Sequence, residues 1–438
     1  MEMMYINQRR VVVTGMGIVS PVGVGLEPFW KNVCAGVSGI DRSPILENSV
    51  CHWKLAAEVK DFRAEEWLGR KDAKRMDRFA QLALASSYLA LQDSGLDLDK
   101  EDRHRIGVAM GTAYAGLQFG AQEYDIYKEK GIQAISPYMG IAIFTGAAGG
   151  QVSLHLGLKA PSLTISTGCD CSTSACVQAA EMIIRGEADV MFAGGADAPI
   201  HPIIVAAFGV SYALSDRNDE PHRASRPFDR RRDGFVMGEG GCILILEELE
   251  HAKRRGARIY AELTGWGSTC DAHHMCHPDP SGEQAARALS LALTKAGVRP
   301  RQIDYLNAHG TSTPLGDKAE TLVIKRVFGE HAYDLPVSSI KSSVGHMQGA
   351  CGSAEMAACC LAIRDNILPP TANYEYADPD CDLDYVPNVA RRHRVDIAAS
   401  NSFSFGGRNT AVVLRRYQNG HHAHTSCGNG NGNGNHTH

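Results

Sequence analysis

From Val11 to Leu414 the chain keeps returning to one pattern: a short apolar run closed by glycine, proline or small polar residues, then a stretch with helical spacing. Val11 to Thr14, Ile106 to Met110, Leu163 to Ser166, Ala188 to Ala193, Cys242 to Leu246, Tyr260 to Thr264, Tyr305 to Asn307 and Thr410 to Leu414 read as strands. Met76 to Leu91 and Ser174 to Arg185 carry helical apolar patterns between them. Strands that alternate with helices favour an α/β layered fold. Two halves meet near Ala257: residues 1–256, dominated by the turn at Cys169, and residues 257–416, which carry two histidine-bearing loops. No residue-level repeat relates them. After Arg416 the pattern collapses into Asn, Gly and His, so 417–438 reads as a disordered tail that cannot bury a core.

Bulk properties exclude several classes. The 438 residues, 44% hydrophobic and 21% charged, can bury a sizeable core. No apolar run reaches the roughly 18–20 residues of a membrane span. The polar start, Met1 to Arg10, lacks the apolar stretch of a signal peptide, so the expected compartment is the cytosol. There the thirteen cysteines should be thiols, mostly small buried residues. A net charge of −5 argues against a nucleic-acid partner. The local basic clusters (Arg70 to Arg78, Arg230 to Arg232, Lys253 to Arg255) read most simply as solvated faces and helix ends.

Four segments carry chemistry. In TISTGCDCSTSACVQAA a strand runs into a small-residue turn, and Cys169 stands where a helix is about to begin. Helix N-terminal amides stabilise a thiolate there, and such a turn lifts the sulfur towards substrate. Taken alone, such a cysteine is more often a buried structural thiol. Zinc spacing is poor for Cys169, Cys171 and Cys176, and no metal is expected. In NAHGTSTPLGDKAE, His309 ends a strand and precedes a Thr-Ser-Thr loop suited to a narrow slot for an amide-bearing arm. VSSIKSSVGHMQGACGSAE sets Lys341 and His346 five residues apart across a turn, and NSFSFGGRNT is an aromatic, glycine-rich loop of the kind that moves.

With these segments, together with VVVTGMGIVSPVG, RPFDRRRDGFVMGEG and IYAELTGWGSTCDAHHM, the sequence resembles the β-ketoacyl-[acyl carrier protein] synthases of the thiolase superfamily over nearly its whole length. The likeness is to the elongating Cys-His-His type. It implies a thiolase-like five-layer αβαβα fold built from two similar halves. It also implies a decarboxylative condensation between an acyl-cysteine and a malonyl-carrier thioester. By this resemblance Cys169 is the nucleophile, and His309 and His346 polarise the malonyl thioester as neutral donors. Lys341 is the buried lysine that holds the histidines and Glu320. The backbone N–H groups of Cys169 and Phe405 form the oxyanion hole, with Phe405 and its neighbour Phe403 in the gating loop. Thr311 and Thr313 bind phosphopantetheine, Tyr114 walls the acyl pocket, and Lys71 and Arg75 meet the acidic carrier protein. No bound cofactor is implied, because phosphopantetheine arrives on the carrier.

Some positions depart from the family's pattern. Asp170 and Cys171 follow the nucleophile where Thr and Ser are common; a carboxylate facing the thiol would raise its pKa. Ser404 replaces the usual glycine between the two phenylalanines, Arg408 stands where threonine is common, and Tyr114 is large for a pocket wall. The STGC lead-in, the MDRFAQLAL helix and the run ending ADAPI look more like the ketosynthase chain of a two-chain (type II) polyketide or polyene pathway. That chain pairs with a cysteine-less chain-length subunit. The alternatives are a homodimeric housekeeping enzyme of fatty acid elongation, a non-catalytic partner subunit and, least fitting, a degradative thiolase. Removal of everything after Tyr417 is expected to leave activity and the dimer intact, as assayed by condensation rate and gel filtration.

Overall fold

The computed structural model describes residues 9–418. Beyond its first two residues, the Asn/Gly/His tail read from the sequence lies outside the described residues. The first half runs β1 (Val11–Ser20), α1 (Arg78–Ser94), β2 (Ile106–Gly111), α2 (Ala147–Leu156), β3 (Ser162–Ile165), α3 (Cys171–Ile184), β4 (Val190–Asp197) and β5 (Gly240–Glu248). The second runs β6 (Ala261–Cys270), α4 (Glu283–Ala296), β7 (Tyr305–Asn307), α5 (Pro314–Phe328), β8 (Val337–Ser338), α6 (Cys351–Asp365), β9 (Ile397–Ser404) and β10 (Arg408–Arg415).

Strand order makes the repeat visible where residue identities did not. The first half is ordered β3-β2-β4-β5-β1, parallel across its first three strands and antiparallel after that. The second is ordered β8-β7-β9-β10-β6 with the same senses. The two runs join through Val12 with Glu262 and Val13 with Ala261. Helices α1 and α2 cover the outer face of one run, and α4 and α5 that of the other. Helices α3 and α6 pack on each other and on strands of both halves. Five layers result. Residues Cys351 to Ile363 of α6 are all buried, as expected of a helix enclosed on every side. Its Gly, Ala, Ser and Cys residues let neighbouring backbones approach.

Several boundaries differ from the sequence expectation. Strand β1 continues through Gly15 and Gly17, which had read as punctuation. Their role is close approach: a Cβ on Gly17 would overlap the Ser86 carbonyl and the Ala90 amide of α1. Helix α3 begins at Cys171, three residues earlier than its apolar pattern, which brings its N-terminus to Cys169. Among the basic clusters, Arg232 is buried rather than solvated and donates to the carbonyls of Thr313 and Pro314 at 3.2 and 3.0 Å. Among the described residues all twelve cysteines are free thiols, and no helix is long and apolar enough to cross a membrane. Since backbone rather than a flexible side chain meets the added atom, Gly17→Ala is expected to lower stability by about 1–3 kcal/mol. An unchanged urea midpoint would contradict that packing.

Candidate active site

Beyond β3 the chain turns at Gly168, whose φ of +87° is open to glycine, and sets Cys169 ahead of α3. Cys169 lines a cavity of about 400 Å³ together with His309, Glu320, His346, Thr311, Thr313, Phe403 and Phe405. The nucleophile candidate comes from one half and the histidines from the other.

Both histidines are held by their Nδ1 side. The Lys341 ammonium donates to the His309 carbonyl at 2.6 Å and lies 3.3 Å from His309 Nδ1. An ammonium can only donate, so Nδ1 accepts and the ring proton sits on Nε2. The Gln348 N–H donates to His346 Nδ1 at 3.2 Å, which puts that proton on Nε2 as well. Burial, then the Lys341 charge, push both imidazoles well below their ordinary pKa, so both are neutral at pH 7. The rings stand 5.7 Å apart at 85°.

Glu320 was expected beside Lys341. Instead it accepts the backbone N–H groups of His309 and Gly310 at 2.8 and 2.7 Å, fixing the loop after β7. The carboxylate that meets Lys341 is Glu355, on α6. Burial works to lower the Lys341 pKa, but the charge and hydrogen bond of Glu355, together with neighbours that include Glu320, outweigh it and the ammonium ends above its usual value. Burial also raises the Glu355 carboxyl against the pull of Lys341. The charged pair is the state that fits a lysine already donating to His309.

Burial pushes the Cys169 thiol up to about 12, with Lys341 opposing and Asp170 adding to the rise. Its Sγ lies 3.6 Å from Gln348 Oε1, on a residue held at a φ of +49°. Asp170 itself turns to Ser174 and Thr410, accepting from their hydroxyls at 2.9 and 3.0 Å. The Cys169 N–H, expected in the oxyanion hole, donates at 2.9 Å to the Ser404 hydroxyl. Phe405 is 37% exposed and stacks on Phe208 at 6.0 Å, and Phe208 meets Tyr114 edge-on at 5.9 Å. Tyr114 therefore stands one ring behind Phe405 and does not line the cavity.

The Thr311 and Thr313 hydroxyls lie 2.9 Å apart, and Thr313 also caps α5. Buried Asp317 accepts the N–H groups of Phe228 and Ser312 at 2.7 and 3.1 Å and holds this loop. Lys71 is exposed on the short helix Arg70–Ala73; Arg75 pairs with Asp72 at 3.5 Å and lies over the Tyr138 ring. Both lie outside the cavity. Sequence reasoning missed Glu355, Gln348 and Asp317, although all three fall inside segments it singled out. The available signal for Glu355 was a lone acid within an apolar helical run.

Sequence models of the beta-ketoacyl synthase N-terminal and C-terminal domains match residues 8–252 and 260–375. The chain belongs to the β-ketoacyl synthase family. It is 44% identical over 410 residues to 3-oxoacyl-[acyl-carrier-protein] synthase 2 of Coxiella burnetii, covering 94% of this chain and 99% of that one. Among solved structures, it is similar to a type II PKS ketosynthase in complex with its acyl-carrier protein and bound to the hexaketide (TM-score 0.87, 36% identity, 94% of this chain and 100% of that one). It is also similar to the ishigamide ketosynthase/chain length factor (TM-score 0.88, 34% identity, 94% and 100%). The reaction class is that of a β-ketoacyl-[acyl carrier protein] synthase, a carbon–carbon bond-forming acyltransferase.

Removing one partner of a buried ion pair strands the other charge. Lys341→Met and Glu355→Gln are each expected to destabilise by about 3–5 kcal/mol. The double variant Lys341→Met/Glu355→Gln should lose less than the sum of the two. Additive urea-unfolding losses would show that the pair does not act as a unit.

Proposed function

We propose that Cys169 carries the acyl group and that His309 and His346 drive the condensation. The observation that supports this best is the pair of neutral imidazoles, each anchored through Nδ1 and each left with an Nε2–H donor. In the first step the Cys169 sulfur attacks the acyl-carrier thioester, and the carrier thiolate leaves with the cysteine's proton. The tetrahedral oxyanion sits between the N–H groups of Cys169 and Phe405. A malonyl-carrier thioester then enters with its phosphopantetheine arm along Thr311 and Thr313. Loss of carbon dioxide leaves an enolate whose oxygen takes the two Nε2–H bonds. Its carbon attacks the acyl-cysteine carbonyl and returns the thiolate. Preorganised donors of this kind contribute about 10²–10³ each in rate.

The half formed by 1–256 supplies the nucleophile, and the half formed by 257–416 supplies the histidines. We place the carrier at Lys71 and Arg75, the tail 417–438 outside the catalytic unit, and the enzyme in the cytosol, where its free thiols stay reduced. A dimer, with a second copy or with a cysteine-less chain-length subunit, is supported by strand β3, which ends the sheet among the described residues with one edge unpaired. For the pathway we propose a type II polyketide or polyene route, supported by the departures at Asp170, Tyr114 and Ser404. The 44% identity to 3-oxoacyl-[acyl-carrier-protein] synthase 2 favours the second reading, housekeeping elongation.

Intact mass after mixing with acyl-loaded carrier protein is expected to show one acyl increment that disappears in Cys169→Ala. His309→Ala and His346→Ala should still load acyl groups yet decarboxylate malonyl carrier about 10²–10³ more slowly. Normal decarboxylation by either variant would overturn its assignment.

A further inference from the structure

His346 receives two hydrogen bonds on the same nitrogen, and the second donor is a thiol. Cys351 Sγ lies 3.2 Å from His346 Nδ1. The Gln348 N–H already donates to that nitrogen at 3.2 Å, so Nδ1 bears no hydrogen and the thiol is the donor. Burial pushes the Cys351 thiol well up, against the pull of Lys341, and keeps the proton on sulfur. Gln348 opens the 3-10 turn Gln348–Ala350, and Cys351 opens α6. The ring therefore bridges the two ends of that turn. Its middle is fixed as well: the Gly349 N–H donates to Asp197 at 2.7 Å, and the Cys171 thiol donates to the Gly349 carbonyl at 3.7 Å.

A neutral imidazole can lose its aim in two ways: its proton can move to the other nitrogen, or its ring can turn over. Both would take the Nε2–H away from the substrate. A proton on Nδ1 would face the Gln348 N–H and the Cys351 thiol, donor against donor. A half-turn of the ring would offer those same donors carbon instead of nitrogen. His309 meets the requirement with the Lys341 ammonium at its Nδ1. We propose that Cys351 does for His346 what Lys341 does for His309: it is the side-chain donor that holds Nδ1 as an acceptor and keeps Nε2–H aimed at the substrate oxygen. This rests on the condensation role given above for His346. Cys351 does not line the cavity, so it acts through the ring and is a positioning residue. A thiol suits the place because it donates without charge. A second ammonium there would sit in the field of Lys341 and be driven to lose its proton.

The test compares wild type, Cys351→Ala and Cys351→Ser in malonyl-carrier decarboxylation and in acyl loading of Cys169, the latter followed by intact mass. Alanine removes the donor, whereas serine, almost as small, keeps one. In Cys351→Ala the decarboxylation kcat should fall about three- to fivefold, with KM and acyl loading unchanged, and Cys351→Ser should recover most of the loss. Equal losses in the two variants overturn the inference, because the sulfur would then only fill space. The S–H stretch of Cys351, isolated as the infrared difference between wild type and Cys351→Ala, gives an independent readout. It should move to higher frequency when the same difference is taken in a His346→Ala background, and a band that stays in place overturns the assignment. His346→Ala that decarboxylates at the wild-type rate overturns the role of His346 and this inference with it. A slow His346→Ala beside a full-speed Cys351→Ala overturns this inference alone.

Discussion

Taking an ammonium and a carboxylate out of water costs several kcal/mol for each ion, and the fold does so at Lys341 and Glu355. Much of the catalytic geometry follows from that choice. Glu355 lies in an otherwise apolar stretch of α6, so the carboxylate needs a cation that reaches it inside the middle layer. Lys341 meets it, and its remaining donors fall on the carbonyl and Nδ1 of His309. One buried charge therefore fixes a tautomer, lowers two imidazole pKa values and opposes the rise in the thiol's. An uncharged amide in place of the ammonium could supply a hydrogen bond, but not this field.

The loops around the cavity have little regular structure, so their backbone donors need other acceptors. Buried carboxylates supply them. Glu320 takes His309 and Gly310, Asp317 takes Phe228 and Ser312, and Asp197 takes Ala113, Tyr114 and Gly349. Burial raises these acids, to about 7 for Glu320 and about 6 for the other two. Each accepts two or three amide hydrogens at once, which shapes a loop more firmly than a single turn residue could.

The layered fold was legible because short apolar runs separated by helical spacing survive translation into strands buried on both faces. Strand ends were less so: Gly15, Gly17, Gly194 and Gly195 resemble breaks in sequence, yet β1 and β4 run through them. The repeat was invisible in residue identities because it lives in strand order and sense, which packing preserves while side chains diverge. Cys169, His309, Lys341 and His346 stood out through motif chemistry, and the cavity gathers Cys169 and both histidines. Glu355 and Gln348 did not stand out, because what distinguishes them is a partner far away in the chain. The Ser404 substitution was legible; its hydrogen bond to the Cys169 amide was not, since only the folded turn brings residues 235 positions apart together.

The matched halves also place two helices in equivalent positions. Cys169 stands two residues ahead of α3, while His346 precedes α6 by five residues with a 3-10 turn between, and both face one cavity. A helix N-terminus carries a partial charge of about +0.5. At Cys169 that charge is of purely backbone origin, and no side-chain substitution can delete it. The fold thereby keeps some anion stabilisation beside the nucleophile position whichever side chain stands there.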